Sequence, residues 1–439
     1  MLLFSLDYWF IILHLLVIKQ ILKAKKTTTM STFRVKLSLF INYFVFAILL
    51  NSVGTVILQV QNNFDVSKSS ASVLEGFKDL SIAIASFLVA SYVVRIGYKK
   101  TMLIALALVA AVCLLIPSNA NFGMTKLLFA AVGVSFALIK VSVFSTLSLV
   151  TKDEKDHLST MSFLESFFMV GILVGNLLFG SFVDNNNLKS TDWFNVYYIL
   201  AALSLVAFAL LFSTKLDETT IKKAEQAETP SLQDEFIGML KLIAIPLVLV
   251  FIFSAFFYVL IEQSIMSWLP TFNNDVLKLP TSLAIQMASV LSLSIALGRF
   301  FAGIVLKKLD WLLVLMGCLL AAAALVLLTV PLAKNISGAP IQSLSDVPFV
   351  AFAFPLIGLF LAPIYPTINS VILSRLPAHK HAAITGLIVV FSALGGTTGS
   401  IITGHIFERF GGQSAFYFSL APIAILIVLL YFFKKLQKT

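Results

Sequence analysis

Residues 214–240 read TKLDETTIKKAEQAETPSLQDEFIGML. Nine of these 27 residues are charged, whereas the chain as a whole is 12% charged and 59% hydrophobic. A water-soluble domain carries about a quarter charged residues. The segment therefore marks the one long stretch where the chain leaves apolar surroundings. On either side of it lie runs of roughly 20 mostly apolar residues, the length that crosses a hydrocarbon core about 30 Å thick. Six precede it, at about 36–59, 71–95, 101–120, 126–150, 159–182 and 193–213. Six follow, at about 242–269, 281–305, 310–331, 347–371, 382–403 and 413–433. Backbone polar groups in lipid must be satisfied within each run, so these are helices. The expected fold is an all-α polytopic membrane protein of twelve spans in two six-helix bundles.

The mean hydropathy of +0.98 and 40 Phe in 439 residues agree with that reading. The net charge of +10 then reports loop lysines and not nucleic acid, which is not expected as a partner. With residues 214–240 placed in the cytoplasm, the five inner loops hold thirteen Lys and Arg and the six outer loops hold six. Lys434, Lys435 and Lys438 beyond the last span agree. The bundle termini are thus expected inside.

The expected organisation is an extension over 1–33, a bundle over 34–213, a cytoplasmic linker over 214–240, a second bundle over 241–434 and a tail over 435–439. The extension begins MLLFSLDYWFIILHLLVIKQILKAKK. It lacks the basic start and small-residue cleavage site of a signal peptide. Three readings stay open: a further helix, an interfacial helix, or a start at Met30.

The halves resemble each other. GILVGNLLFG (171–180) and GGTTGSIITG (395–404) place glycines at the same spacing in the fifth span of each half. NNFDVSKSSASV (62–73) resembles NNDVLKLPTSL (273–283), each after the first span of its half. VVRIGYKKT (93–101) and VLKKLDW (305–311) each put basic residues between the second and third. Repeated bundles are a mark of transporters that rock about a central site.

With this layout, the turn RIGYKKT and its partner GRFFAGIVLKK (298–308), the chain resembles the major facilitator superfamily over about 34–434. FYVLIEQSIMSWLPTF (257–272) and FLESFFMVGILVG (163–175) look similar to the fucose permease branch. RIGYKKT matches only the end of the superfamily's loop, since the acidic residue and second arginine are not in place. The branch carries a functional acid where Lys140 stands, and an Asp where Gly54 stands. Its proton chemistry is therefore not carried over through those positions, and its sugar specificity is put in doubt with it. The resemblance implies a secondary active transporter working by alternating access.

Ionisable residues inside spans cost about 2.5–3.5 kcal/mol each on insertion scales, so each is a functional candidate. Lys140 sits near the middle of the fourth span and is expected to face the interior, opposite an acid or an anionic solute. Glu75, Lys78 and Asp79 are spaced i, i+3, i+4 and share one face of the second span. They form either a solvated outer rim or a buried cluster with a surplus negative charge, for which Lys140 is the expected counter-ion. Glu262 in the seventh span matches Asn51 of the first by repeat position. It is expected to serve proton coupling, or else to bond Gln263 or Ser264. Tyr258, Gln263 and Asn369 are candidate solute contacts. Trp268 is expected as an anchor at the membrane boundary. Arg95, Lys99, Lys100, Glu165 and Arg299 are expected near the cytoplasmic ends, pairing across the halves as a gate.

No GxxxxGK[ST] loop is present, so ATP is not the energy source. Cys113 and Cys318 lie in apolar runs and make no disulfide framework, and no metal-ligand spacing occurs. No cofactor or metal is expected, and a membrane-embedded enzyme is the remote alternative. The reading is a monomeric, multi-pass protein of a bacterial inner membrane importing a small polar organic solute with protons. Proton-driven export is the alternative.

Overall fold

A computed structural model describes residues 30–437 apart from 91–92, 152–153, 217, 219–236, 238–239, 336–345 and 376–380. The extension before Met30, most of the polar linker and the side chain of Arg95 lie outside the described residues. Among the described residues there is no strand. Among the described residues ten helices are long and apolar enough to cross a membrane, matching the expected spans one and three to eleven. Val73–Ala90 stands in the place of span two and carries Glu75, Lys78 and Asp79; Leu420–Leu436, 17 residues long, stands in the place of span twelve. Large apolar side chains such as Phe300, Leu328 and Phe212 cover the outside of the bundle and remain more than half exposed there. That is the belt a lipid solvent requires.

Several helices run past their apolar cores. The first span continues to Phe64, broken at Ser52 into Met30–Asn51 and Val53–Phe64. Local side chains account for the break: Ser52 Oγ donates to Leu49 O at 2.8 Å and Asn51 Nδ2 to Ala47 O at 2.9 Å. Such back-bonding competes with the helical ladder and bends it. The tenth span is interrupted by a 3₁₀ turn over Phe354–Leu356 and resumes as Ile357–Leu361 and Ile364–Arg375. Pro355 and Pro363, which lack the N–H of the ladder, fall at these breaks. The eleventh helix extends beyond the expected 403 as His381–Tyr417 and kinks at Gly411, whose φ of 81° suits only glycine well. Its polar residues His405, Glu408 and Arg409 lie on this extension, which is why hydropathy ended the span early.

The two sets of six helices meet along a seam that is tightest at one end. There Lys68 and Asp275 form an ion pair at 2.8 Å, and the Ser69 backbone N–H donates to Glu408 Oε2 at 2.7 Å. Asn185 Nδ2 donates to Ser282 Oγ at 2.7 Å while its Oδ1 accepts the Ser282 N–H at 2.9 Å. Glycines bring the backbones together. A Cβ on Gly54 would stand 2.8 Å from Ser267 O, and one on Gly404 would stand 2.7 Å from the Trp268 ring and 2.8 Å from Ser72 Cβ. Small residues at helix crossings permit this approach. At the opposite end the pairs described stay within one half: Lys36–Asp156 at 2.9 Å in the first and Lys434–Asp310 at 2.6 Å in the second. The Lys434 ammonium holds the exposed Asp310 carboxyl below the usual carboxylate range while Asp310 caps the ninth span.

Trp268 is not the boundary anchor expected from its place in the run. It is fully buried, with Nε1 donating to Ser400 O at 3.1 Å. It fills the space that Gly404 leaves open on the neighbouring helix, and its one polar atom finds a partner there.

Two glycine substitutions separate crossing positions from free helix surface. A Cβ on Gly171 would stand 2.7 Å from Ala47 Cβ and 2.9 Å from Phe44 O, whereas Gly303 has nothing within 4 Å. Gly171→Ala is expected to cost about 1–3 kcal/mol through overpacking. Gly303→Ala is expected to be neutral or to gain up to about 1 kcal/mol of helix propensity. Thermal unfolding of the purified variants in one detergent checks the order.

Candidate functional site

Glu75, Lys78 and Asp79 lie on the inner face of the second span, and helical spacing brings them together. The structure buries them: relative exposures are 0%, 2% and 6%. The solvated-rim reading is thus corrected, because the seventh and eleventh spans close over this face. Lys78 Nζ donates to Glu75 Oε1 and stands 3.4 Å from Asp79 Oδ1. Glu75 Oε2 accepts a hydrogen bond from Ser267 Oγ of the seventh span at 2.7 Å. Asp79 Oδ2 is packed against Gly396 of the eleventh span and is buried without a hydrogen-bond partner. One ammonium thus serves two carboxylates at a junction of three helices from both halves.

Lys140 is not the counter-ion of this cluster. Among the described residues no carboxylate stands within 4.0 Å of its ammonium. Gly133 on the same helix packs on the Lys78 carbonyl. Lys140 lies seven residues farther along, roughly 10 Å at 1.5 Å per residue. It is half-buried, with its ammonium 5.8 Å from the Phe136 ring and 6.0 Å from that of Phe144. Both rings also pack on Tyr43 of the first span. Tyr43 in turn donates its hydroxyl to Glu165 Oε1 at 3.2 Å.

The second half presents a matching polar group. Tyr258 donates to Glu262 Oε1 at 2.8 Å, so Glu262 bonds a tyrosine one turn earlier and not Gln263 or Ser264. Tyr258 stacks on Tyr365 with centroids 5.5 Å apart, and the Tyr365 hydroxyl is 3.0 Å from Ser392 Oγ. Asn369 lies near the same Tyr365 hydroxyl. Arg299 is close enough for its charge to act on Glu262 and Tyr258 and, across the halves, on Tyr43. Its expected place among loop charges is therefore corrected: span eight carries it inward to the interface. Asn51 lines a small cavity between the halves with Thr55, Asn176 and Ser292, beside Gly54. Gln263 lies next to Gly396, near Asp79.

The remaining expected gate residues scatter. Lys99 bonds the carbonyls of Phe212 and Thr214 at 2.9 and 2.6 Å, a cation at the end of the sixth span within its own half. Lys100 is exposed. Among the described residues Glu165 is drawn to Tyr43 and not to a loop cation. Glu218 of the linker accepts the Lys99 backbone N–H at 2.8 Å, which puts a carboxylate at the start of the third span. An acid absent from the loop itself is thus supplied from a distant segment.

Sequence reasoning missed Tyr43, Tyr365, Ser392 and Ser267. Each sits in an apolar run where a lone hydroxyl carries little signal. Tyr43 is distinguished only by lying eight residues, about two turns, before Asn51.

Removing the ammonium at the junction is expected to be severe. Lys78→Met leaves two buried carboxylates without a cation and is expected to cost about 3–5 kcal/mol. Ser267→Ala removes one donor to Glu75 and is expected to cost about 1–3 kcal/mol. Melting temperatures should fall in that order. A Lys78→Met protein that melts with the native chain contradicts this account of the junction.

A family description, Major Facilitator Superfamily, matches residues 39–396. The glucose/mannose transporter GlcP of Bacillus subtilis (strain 168) is 29% identical over 266 residues, 58% of this chain and 60% of GlcP, so that match leaves over a third of the relative uncovered. A TsgA homolog of Buchnera aphidicola subsp. Baizongia pistaciae is 21% identical over 405 residues, 91% of this chain and 95% of the relative. The crystal structure of a D-xylose-proton symporter superposes with a TM-score of 0.71 at 13% identity, covering 92% and 98% of the two chains. That of FucP in the outward conformation gives 0.61 at 16% identity, over 91% and 98%. At these identities the two structures speak for the fold alone. The length matched by the family description decides the assignment: the chain belongs to the Major Facilitator Superfamily.

Proposed function

We propose that the protein is a secondary active transporter that imports a small polyhydroxylated solute with protons by alternating access. One observation carries this reading. Polar and charged side chains from both halves, Lys140, Tyr43 and Glu165 on one side and Arg299, Tyr258, Glu262, Tyr365 and Asn369 on the other, face one another inside the bundle, apart from the Glu75–Lys78–Asp79 junction. Such groups are expensive in lipid and are retained for a polar passenger. The stacked Tyr258 and Tyr365 give an aromatic platform, and Asn369, Ser392 and Glu262 give hydrogen-bonding groups at its edge. Sugars suit this mixture of apolar faces and hydroxyl edges. The names of GlcP and of the D-xylose-proton symporter support the same class.

In this reading the halves, residues 34–213 and 241–434, rock about the linker at 214–240. The sealed end, with Lys68, Asp275 and Glu408, faces outward, and the basic loops face the cytoplasm of a bacterial cell. The described conformation is then closed outside. The reverse direction, export, has no observation in its favour beyond the reversibility of any such carrier.

Lys140 supplies the discriminating measurement. Proteoliposomes with an imposed pH gradient are given labelled glucose, mannose and xylose beside a panel of organic acids. Accumulation of a neutral sugar is expected, together with a thermal shift of the purified protein worth about 2.7 kcal/mol at 100 times Kd. Lys140→Met is expected to weaken accumulation at least tenfold and to alter its pH dependence. An organic acid as the transported solute, with its thermal shift abolished in Lys140→Met, replaces the sugar reading. No accumulation of any solute removes the transporter reading itself.

A further inference from the structure

Spans five and eight belong to different halves and run antiparallel along the seam. At the sealed end they touch: a Cβ on Gly180 of span five would stand 2.9 Å from Ser282 O and 2.6 Å from Gln286 Cγ at the start of span eight. Farther along, Ile172 and Asn176 of span five line the small cavity between the halves together with Ala288 and Ser292 of span eight. Each step back along span five is matched by an equal step forward along span eight. Seven more residues, about two turns, lead from Ile172 to Glu165 and from Ser292 to Arg299. Seven residues bring an α-helix back to within about 20° of the same face. Glu165 and Arg299 therefore continue the two faces that meet at the cavity, one charge on each half.

At that level the helices have parted. Among the described residues Arg299 has no carboxylate within 4.0 Å, and its Nε is buried without a hydrogen-bond partner. Glu165 Oε1 instead accepts the Tyr43 hydroxyl at 3.2 Å within the first half. Arg299 stands close enough for its charge to act on that same tyrosine, so the acid and the cation are neighbours of one ring although they lie on different halves. One turn beyond Arg299 on the same face is Gly303, where a Cβ would meet nothing within 4 Å. The seam thus passes from backbone contact at Gly180, through the small cavity, to an open mouth flanked by two opposite charges. The other charges nearby do not share this relation. Glu262 lies on the same half as Arg299 and is bonded by Tyr258, and Lys140 lies on the same half as Glu165.

We propose that Glu165 and Arg299 are the two parts of a latch. When the halves swing together at this end, Glu165 leaves the Tyr43 hydroxyl and pairs with the Arg299 guanidinium, holding the conformation opposite to the one described. A carboxylate and a guanidinium, both half-buried, make a strong charge-assisted pair. Because the pair exists in one conformation alone, it biases the equilibrium by its own strength less that of the Tyr43 bond it replaces. Tyr43 is then a positioning residue that keeps the acid satisfied while the mouth is open. The latch deepens the alternating-access reading and rests on it for its role in transport, whereas the bias itself is measured with no solute present.

The test uses the full chain in nanodiscs with Cys113 and Cys318 replaced by Ala. In one sample spin labels sit on cysteines at the exposed positions Lys100 and Lys308, on opposite halves at the open end; in another they sit at the exposed Asn187 and Lys278 at the sealed end. Pulsed dipolar spectra of the native chain are expected to show both a long and a short distance for each pair. Glu165→Gln and Arg299→Gln are each expected to lower the ratio of short to long distances across Lys100 and Lys308 by roughly fivefold or more, and to raise it across Asn187 and Lys278. The double variant is expected to go no further than either single one, because both remove the same pair. Arg299→Lys, which keeps the charge, is expected to keep most of the short population. Tyr43→Phe leaves both charges in place and frees Glu165, so it is expected to move the ratio the other way. Distances in either Gln variant equal to the native ones overturn the proposal, as does the outcome expected if these residues merely line the solute path, a change seen only when solute is added. Losses that add in the double variant, or a Tyr43→Phe protein that shifts with the Gln variants, overturn it as well. Failure of the transporter reading looks different: the distances respond as expected while no solute accumulates in proteoliposomes.

Discussion

A single ammonium buried between two carboxylates is the constraint around which the interior is arranged. At the low effective dielectric of such a site, charges interact several times more strongly than at a surface, and leaving one unpaired is correspondingly costly. Lys78 therefore fixes the rotation of the second span, because only one helix face presents Glu75 and Asp79 to it. The rotation in turn dictates what the opposing helices carry. Ser267 must stand where Glu75 needs a donor, and residue 396 must lack a side chain where Asp79 needs room. A soluble protein would wet such a cluster; here the seventh and eleventh spans cover it.

The same logic explains how the seam is sealed. Two six-helix halves in lipid gain nothing from hydrophobic association, since lipid tails are as apolar as leucine. Contact must come from close packing and polar bonds. At the sealed end both are present: glycines 54 and 404 admit backbone and indole contact, and the Lys68–Asp275 pair and the Asn185–Ser282 bonds lock the rim. Toward the other end, Lys36, Lys99 and Lys434 are satisfied within their own halves. Among the described residues the cross-half pairs at the chain's loop ends thus gather at one end, as the proposed alternating access requires of one of its two states.

The spans were legible in the sequence because hydrophobic length is a one-dimensional property. The charged face of span two was legible too, since i, i+3, i+4 spacing alone puts Glu75, Lys78 and Asp79 together. Their partner was not. Lys140 and the cluster are ionisable groups inside spans of one half, but a shared half does not fix depth along two parallel helices, and Gly133 sets the offset. Arg299 was misplaced for a related reason. Its distance from the loop lysines suggested a helix end, while the approach of span eight to span five turns it toward Tyr43 and Glu262. The hydroxyls of Tyr43, Tyr365 and Ser392 were silent because a polar tip on an apolar body reads as packing until its partner is known. Gln263 and Asn369 stood out only as amides in an apolar run, and their neighbours came from other spans.

The distribution of cations between the halves bears on the proposed transport mechanism. Lys140 belongs to the first half and Arg299 to the second, and among the described residues neither has a carboxylate within 4.0 Å. Lys140 instead stands near the rings of Phe136 and Phe144, and the charge of Arg299 reaches Tyr43 in one half and the Tyr258–Glu262 pair in the other. A ligand can bias two conformations only through contacts that differ between them. A solute touching one half alone has the same contacts in both and shifts nothing, however tightly it is held. A solute reaching groups on both halves gains or loses half of its contacts as the halves rock. The polar groups of this interior are divided between the two halves, and in the proposed mechanism that division makes binding and conformational change parts of one equilibrium.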